Sequence, residues 1–138
     1  MPCSYVIDKK HRLVISTGSG RVTFAEMQAH QEQLERDPDF SPKFNQLIDA
    51  TGVTEVELSR DAAQDLTSRN IFSTTSRRAF VASKPAVFGM GRLLLAYHEA
   101  LDAPSQTNAF YELAPALEWL ENETAYAPLR REDLRKAI

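Results

Sequence analysis

The stretch at 45–65, NQLIDATGVTEVELSRDAAQD, carries the side chains with the clearest capacity for chemistry. Its apolar run ends at Asp49, a short loop follows, and Ser59 begins a segment rich in helix-forming residues. A hydroxyl at a helix N-terminus, beside the end of a central strand, is a common place for recognition or phosphate chemistry in α/β proteins. A phosphate there would add about −1.5 to −2 charges and would change the surface that a partner meets. The stretch therefore predicts a regulated or partner-binding site at the start of this helix.

The same residues also have a structural explanation. Ser59 can act only as the N-cap of the helix, a role that stabilises a helix by about 1 kcal/mol. Asp49 and Thr51 can act only as turn residues, because Asp and Thr side chains bond the backbone of their own loops. The sequence leaves both explanations open.

Two arginines at the start of a predicted strand form a second group of candidates. Arg77 and Arg78 could meet an anionic ligand, or Asp49 of the neighbouring strand, because parallel sheets bring loop residues together at strand ends. The alternative is a solvated charge pair that contributes little energy. The residues expected to contact a partner or ligand are therefore these: Asp49, Gly52, Arg60, Arg77 and Arg78.

The most apolar helical segment predicts a third kind of site. Apolar side chains recur there every three or four residues, at Val87, Met90, Leu94, Tyr97 and Leu101. A helix of this kind packs between the sheet and another element, and methionine adapts to ligands of irregular shape. Candidates for an apolar ligand held between this helix and the sheet are Phe88, Met90 and Tyr97. Ordinary core packing is the alternative.

Several classes of function are disfavoured by composition. The net charge is −3 with both signs mixed along the chain, so no overall field attracts nucleic acid. The three histidines lack ligand spacing, and one cysteine forms no internal disulfide, so we expect no metal site, no cofactor and no catalytic residues. The apolar runs are far below the roughly 20 residues of a membrane span. We expect a cytoplasmic protein.

The elements that position these groups follow from hydrophobic patterning. Two β-rich runs at 5–7 and 13–15 predict a hairpin, Gly18 to Gly20 is expected to end its second strand, and Thr23 with Glu26 forms a capping box. A helix, and then three strands alternating with three further helices, complete the order ββαβαβαβα. This order predicts an α/β fold with a mixed sheet of about five strands and four helices.

The length predicts one domain, which we place at 1–122. The segment 123–138 is expected to be a basic C-terminal tail, partly helical or flexible. A homodimer is plausible, although the sequence does not give the surface.

Three stretches resemble the STAS-like fold family, and more closely its small bacterial SpoIIAA-like members of mostly unassigned role. The stretches are LIDATGV at 47–53, SRRAFVAS at 76–83 and FYELAPALEWL at 110–120. The resemblance implies that a serine at the start of the helix after the third strand is phosphorylated by a partner kinase. By element position that serine is Ser59. The family's loop reads Asp-Ser-Ser-Gly, whereas this chain has Glu57 to Arg60; a shifted alignment on Asp49 to Gly52 makes Thr51 the acceptor instead.

Two hypotheses follow. The first is a non-enzymatic STAS-like regulatory or interaction domain whose exposed second helix binds a partner protein, with phosphorylation at Ser59 or Thr51 as its control. The second is a carrier of a small apolar or acyl ligand, held between the third helix and the sheet.

Overall fold

A five-stranded mixed sheet and four helices form residues 3–121, the part of the chain that this computed structural model describes. The strands are β1 (Cys3–Asp8), β2 (Leu13–Thr23), β3 (Asn45–Glu57), β4 (Arg77–Val81) and β5 (Gln106–Phe110). The helices are α1 (Phe24–Arg36), α2 (Arg60–Ser68), α3 (Pro85–Glu99) and α4 (Leu113–Glu121). The predicted element order and the predicted α/β class are confirmed. The predicted tail, 123–138, lies outside the described residues.

The strands lie in the sheet in the order of the sequence. β1 and β2 are antiparallel, as the hairpin prediction requires, and every later neighbour is parallel. Parallel neighbours are joined by crossovers that are almost always right-handed. Each new parallel strand is added on the same side of the previous one, so the three right-handed crossovers place α1, α2 and α3 on the same face of the sheet. α4 follows the last strand and packs on the opposite face.

The predicted start of α1 is confirmed in its hydrogen bonds. The Glu26 N–H donates to Thr23 Oγ1 at 3.3 Å, and the Thr23 N–H donates to Glu26 Oε1 at 2.9 Å. The helix ends at Arg36, because the residue before Pro38 avoids the helical region. Asp37 is that residue, and its backbone is extended. α1 is therefore fixed at both ends by its own sequence.

β2 and β3 are both longer than predicted. We expected Gly18 to Gly20 to end β2 and a loop to follow Asp49, and both expectations are wrong. The two strands pair with each other as far as Thr23 and Glu57, across register shifts at the glycine segment. Gly20 has a φ of +64°, a conformation that suits glycine at a β-bulge, so the bulge absorbs the irregularity and the ladder continues.

The two faces of the sheet carry separate cores. Against α4, one cluster of side chains is fully buried: Leu13, Leu47, Ala79, Val81, Ala116 and Leu120. On the three-helix face two clusters are found, one around Val22, Ala50, Val53, Ala82, Val87 and Phe88, the other around Val14, Leu34, Phe44 and Phe72. The sheet therefore separates a single core below α4 from a divided core below the three helices.

Candidate functional site

Ser59 lies where the sequence placed it, at the N-terminus of α2. It is exposed, and its Oγ accepts the backbone N–H of Ala62 at 3.1 Å. α2 ends at Ser68, earlier than the end near Ile71 that the sequence suggested. Arg60 is the first residue of the helix and is exposed. The cap role of Ser59 is thus present in the structure, and its phosphorylation stays a prediction.

The other candidates of this stretch lie in a strand and not in a loop. Asp49, Thr51 and Gly52 are all part of β3. Asp49 Oδ1 accepts the backbone N–H of Thr51 at 3.0 Å and its hydroxyl at 2.6 Å. The predicted loop is wrong because β2 continues alongside β3 and supplies its backbone partners.

Arg77 and Arg78 begin β4, as predicted, but they point to opposite faces because side chains alternate along a strand. Arg77 lies on the α4 face, where it donates to the Trp119 carbonyl at 2.7 Å and lies over the Trp119 ring. Arg78 lies on the three-helix face. The suggested contact between an arginine and Asp49 is not found, because Asp49 pairs with Val81 in the β3–β4 register and Arg78 pairs with Gln46.

A cavity of about 210 Å³ lies between the sheet and the helices α1, α2 and α3. Most of its lining is apolar, contributed by Val22, Met27, Leu34, Ile48, Ala50, Val53, Leu66, Phe80, Val87, Met90, Leu94 and others. Of the three predicted apolar-ligand residues, only Met90 is part of this lining. Phe88 stacks on Tyr111 instead, with ring centroids 3.8 Å apart. The cavity therefore borders α3 and extends under α1 and α2.

α2 covers this cavity and packs mainly on helices. It contacts α1 and α3, whereas its contacts with the strands are few. Ala63 is the buried residue of α2, and Leu66 lines the cavity. The thin apolar face that suggested an exposed helix is explained by this position, since the helix borders a cavity and not a filled core.

Polar residues also line the cavity, and we call five of them the polar end: Ser16, His30, Gln46, Arg78 and His98. Three of them come from neighbouring strands, and they are joined by hydrogen bonds. Arg78 Nε donates to Gln46 Oε1 at 2.9 Å, and Gln46 Nε2 donates to Ser16 Oγ at 2.9 Å. Because Gln46 and Arg78 begin β3 and β4, the polar end lies at the N-terminal edge of these strands.

The guanidinium of Arg78 is held in one place. Its carbon lies 4.6 Å from the centre of the Phe72 ring, within cation–π distance. Burial lowers the pKa of Arg78 to about 10, so the group still carries its charge at neutral pH. Among residues 3–121, none of the ion pairs found involves Arg78.

Both histidines of the polar end are neutral at pH 7. Burial, and then the charge of Arg78, lower the pKa of His98 to about 4, and the same two causes lower the pKa of His30. The Ser105 N–H donates to His98 Nε2 at 2.8 Å, so the proton of the neutral ring is on Nδ1. Arg78 is therefore the charged member of the polar end.

Sequence reasoning named Arg78 and missed the rest of the polar end. A signal was present in each case. His30 shares an apolar helical stripe with Met27 and Leu34, and Gln46 alternates with Ile48 on one face of a strand. A polar residue at an apolar position of a periodic pattern indicates either a buried hydrogen bond or a site.

Two further findings concern the described residues. Over 3–121, no group of three or more His, Cys, Asp and Glu side chains is arranged to hold a metal ion. No helix in that range is long and apolar enough to cross a membrane.

The architecture belongs to a known class: five strands in the order of the sequence, three helices on one face and one on the other form a SpoIIAA-like α/β fold. An uncharacterized protein of the DUF3478 family with a SpoIIAA-like fold, from Shewanella loihica PV-4, is similar in structure, with a TM-score of 0.53. The two chains are 19% identical over 86% of this chain and 91% of that chain. The predicted STAS-like, SpoIIAA-like fold is thus confirmed. No protein-family model and no curated protein matches the sequence.

Proposed function

We propose that this chain is a non-enzymatic binding domain that carries a small, largely apolar ligand between the sheet and the helices α1, α2 and α3. The cavity is the observation that supports this proposal. Protein interiors are packed at crystal-like density, and they contain few voids larger than one water molecule. An engineered apolar cavity of about 150 Å³ binds benzene. The cavity of this protein measures about 210 Å³ and is lined mainly by aliphatic and aromatic side chains.

The cavity is partly open to the surrounding water, so its apolar lining is in contact with water when no ligand is bound. A ligand that covers this lining removes apolar surface from water, and its binding stabilises the folded state.

Two glycines of α3 provide a matched test. A Cβ on Gly91 would overlap the Phe80 ring, which lines the cavity, whereas a Cβ on Gly89 would meet nothing within 4 Å. Gly91→Ala should displace the ring and change the shape of the cavity. Gly89→Ala adds the same methyl group to the same helix and should leave the cavity unchanged.

The measurement is isothermal titration calorimetry of decanoate and of decan-1-ol against the wild-type chain and both variants. We expect both probes to bind the wild type and Gly89→Ala, and we expect Gly91→Ala to bind them at least five-fold more weakly. The proposal is wrong if neither probe binds the wild type, or if both variants bind them equally well.

A second candidate function is the phosphorylation-sensitive interaction domain. The exposed Ser59 side chain at the N-terminus of α2 favours it, because a phosphate there would meet free backbone N–H groups. Peptide mass mapping of the protein recovered from growing cells tests this candidate. Absence of phosphate from both Ser59 and Thr51 under all growth conditions counts against it. The partner protein, a homodimer and a cytoplasmic location stay predictions.

A further inference from the structure

The charge balance of the cavity is the starting point. Its described lining contains Arg78 but no Asp or Glu, and both histidines of the polar end have lowered pKa values. The polar end therefore carries one positive charge, and within residues 3–121 no carboxylate is found paired with it. Arg78 is half-buried in a largely apolar cavity, and a charge in such surroundings favours a counter-ion.

The donors of Arg78 are only partly used. Its Nε–H donates to Gln46, and no hydrogen-bond acceptor among residues 3–121 is found for the two η nitrogens. These nitrogens carry N–H groups in one plane, and that plane is fixed by Gln46 on one side of the group and by the Phe72 ring against its carbon. Two parallel N–H donors of this kind match the two oxygens of a carboxylate.

The cavity is also divided along the strands. Gln46 and Arg78 lie at the N-terminal edge of β3 and β4, whereas Ala50 and Val53 line the cavity further along β3. With a rise of about 3.3 Å per residue, Ala50 lies roughly 13 Å beyond Gln46. One end therefore suits a charged head group, and the rest suits an apolar chain.

From these observations we infer that the ligand is a medium-chain monocarboxylate whose head group forms a bidentate ion pair with Arg78 and whose chain lies along β3. This inference rests on the proposed function and adds the class of ligand to it. Gln46, held by Ser16, acts as a positioning residue that fixes the plane of the guanidinium.

The single charge selects among head groups. A carboxylate carries one negative charge and leaves the pair neutral, whereas a phosphate monoester carries close to two and would leave a buried net charge. An alcohol leaves Arg78 without a counter-ion, and an ammonium group is repelled by it. The expected order of affinity is therefore carboxylate first, then phosphate monoester and alcohol, and ammonium last.

The experiment titrates the wild-type chain at pH 7.5 with decanoate, decan-1-ol, decyl phosphate and decylammonium by isothermal titration calorimetry. We expect decanoate to bind at least ten-fold more tightly than decan-1-ol, and decylammonium to bind most weakly. Equal binding of decanoate and decan-1-ol overturns the role of Arg78 and leaves the proposed function standing. Tighter binding of decyl phosphate overturns the selection of a monoanion. Failure of all four probes overturns the proposed function itself.

Arginine variants test whether Arg78 causes the preference for decanoate over decan-1-ol. Arg78→Met should reduce the preference for decanoate over decan-1-ol to less than three-fold, while Arg78→Lys should keep part of it. Arg92 is an exposed arginine of α3, so Arg92→Met removes the same charge outside the cavity and should preserve the preference. A preserved preference in Arg78→Met overturns the assignment. Circular dichroism verifies that each variant folds. If Arg78→Met does not fold, the comparison of the four head groups on the wild type tests the role of Arg78.

Discussion

On one face of the sheet a single helix covers one continuous hydrophobic core, whereas on the other face three helices surround a cavity with a mainly apolar lining. Leu13 and Leu47 of the sheet and Leu120 of α4 are fully buried in the core on the α4 face. The opposite face has its buried residues in two clusters and keeps a cavity of about 210 Å³ with a charged residue in it. Under the function proposed above, the two faces have separate tasks. The α4 face holds one continuous core, and the three-helix face holds the proposed binding site.

Truncation of one leucine on each face tests this comparison with the largest expected effect. Leu120→Ala removes a fully buried side chain from the α4 core and should lower the free energy of unfolding by about 2–5 kcal/mol. Leu94→Ala borders the existing cavity, so it creates less new void and should cost less than half as much. Urea unfolding followed by circular dichroism measures both. Equal losses would contradict the division of tasks.

Acid should weaken the three-helix face through its histidines. His98 has an ordinary pKa of 6.5 in the unfolded chain and about 4 in the folded protein, so protonation favours unfolding. The contribution of His98 is complete above about pH 6.5 and is lost as the pH falls toward 4. The loss is on the order of 2 kcal/mol. His30 contributes in the same direction, because its pKa is also lowered.

The check is the free energy of unfolding by urea, measured at steps between pH 7 and pH 4, for the wild type and for His98→Gln. Glutamine stays neutral and can still accept the Ser105 N–H, so the variant should lose less stability over this range. Identical pH curves for the two proteins would show that His98 does not titrate as described.

The smallest expected effect on stability concerns the N-cap of α2, the helix that covers the cavity. Ser59→Ala removes the N-cap of α2 and should cost about 1 kcal/mol. Ser59→Asp keeps an oxygen that can accept the Ala62 N–H and should preserve stability. Amide hydrogen exchange of residues 60–68 measures the effect locally. Uniformly faster exchange across the whole sheet in Ser59→Ala would show that α2 does not open separately from the rest.

Local signals in the sequence predicted the starts of α1 and α2, because the capping partners are near each other in the chain. Thr23 with Glu26, and Ser59 with Ala62, bond over three residues. The lengths of β2 and β3 were not predictable in the same way. Their extensions depend on each other, and the Gly18 to Gly20 segment is typical of a turn as much as of a bulge.

The candidate site was predictable only in part for the same reason. Arg78 was identified from its position at a strand end, but its partner Gln46 is 32 residues away and belongs to another strand. His98 was examined for metal-ligand spacing and set aside, since nothing local indicates that α3 brings it to Arg78. Only the order of the strands brings these side chains to one cavity.

α2 connects the two candidate sites of this protein. Ser59 begins it, while the polar end lies at the opposite end of β3, roughly 36 Å from Glu57 at the usual rise of a strand. That separation exceeds the screening length of about 8 Å at physiological salt, so charges at the two places do not sense each other directly. Coupling between the two sites therefore depends on the packing of α2 over the cavity. By thermodynamic linkage, the effect of each site on the other is reciprocal. A phosphate on Ser59 that stabilises α2 over the cavity would thus strengthen ligand binding, and a bound ligand would shift the phosphorylation equilibrium by the same factor.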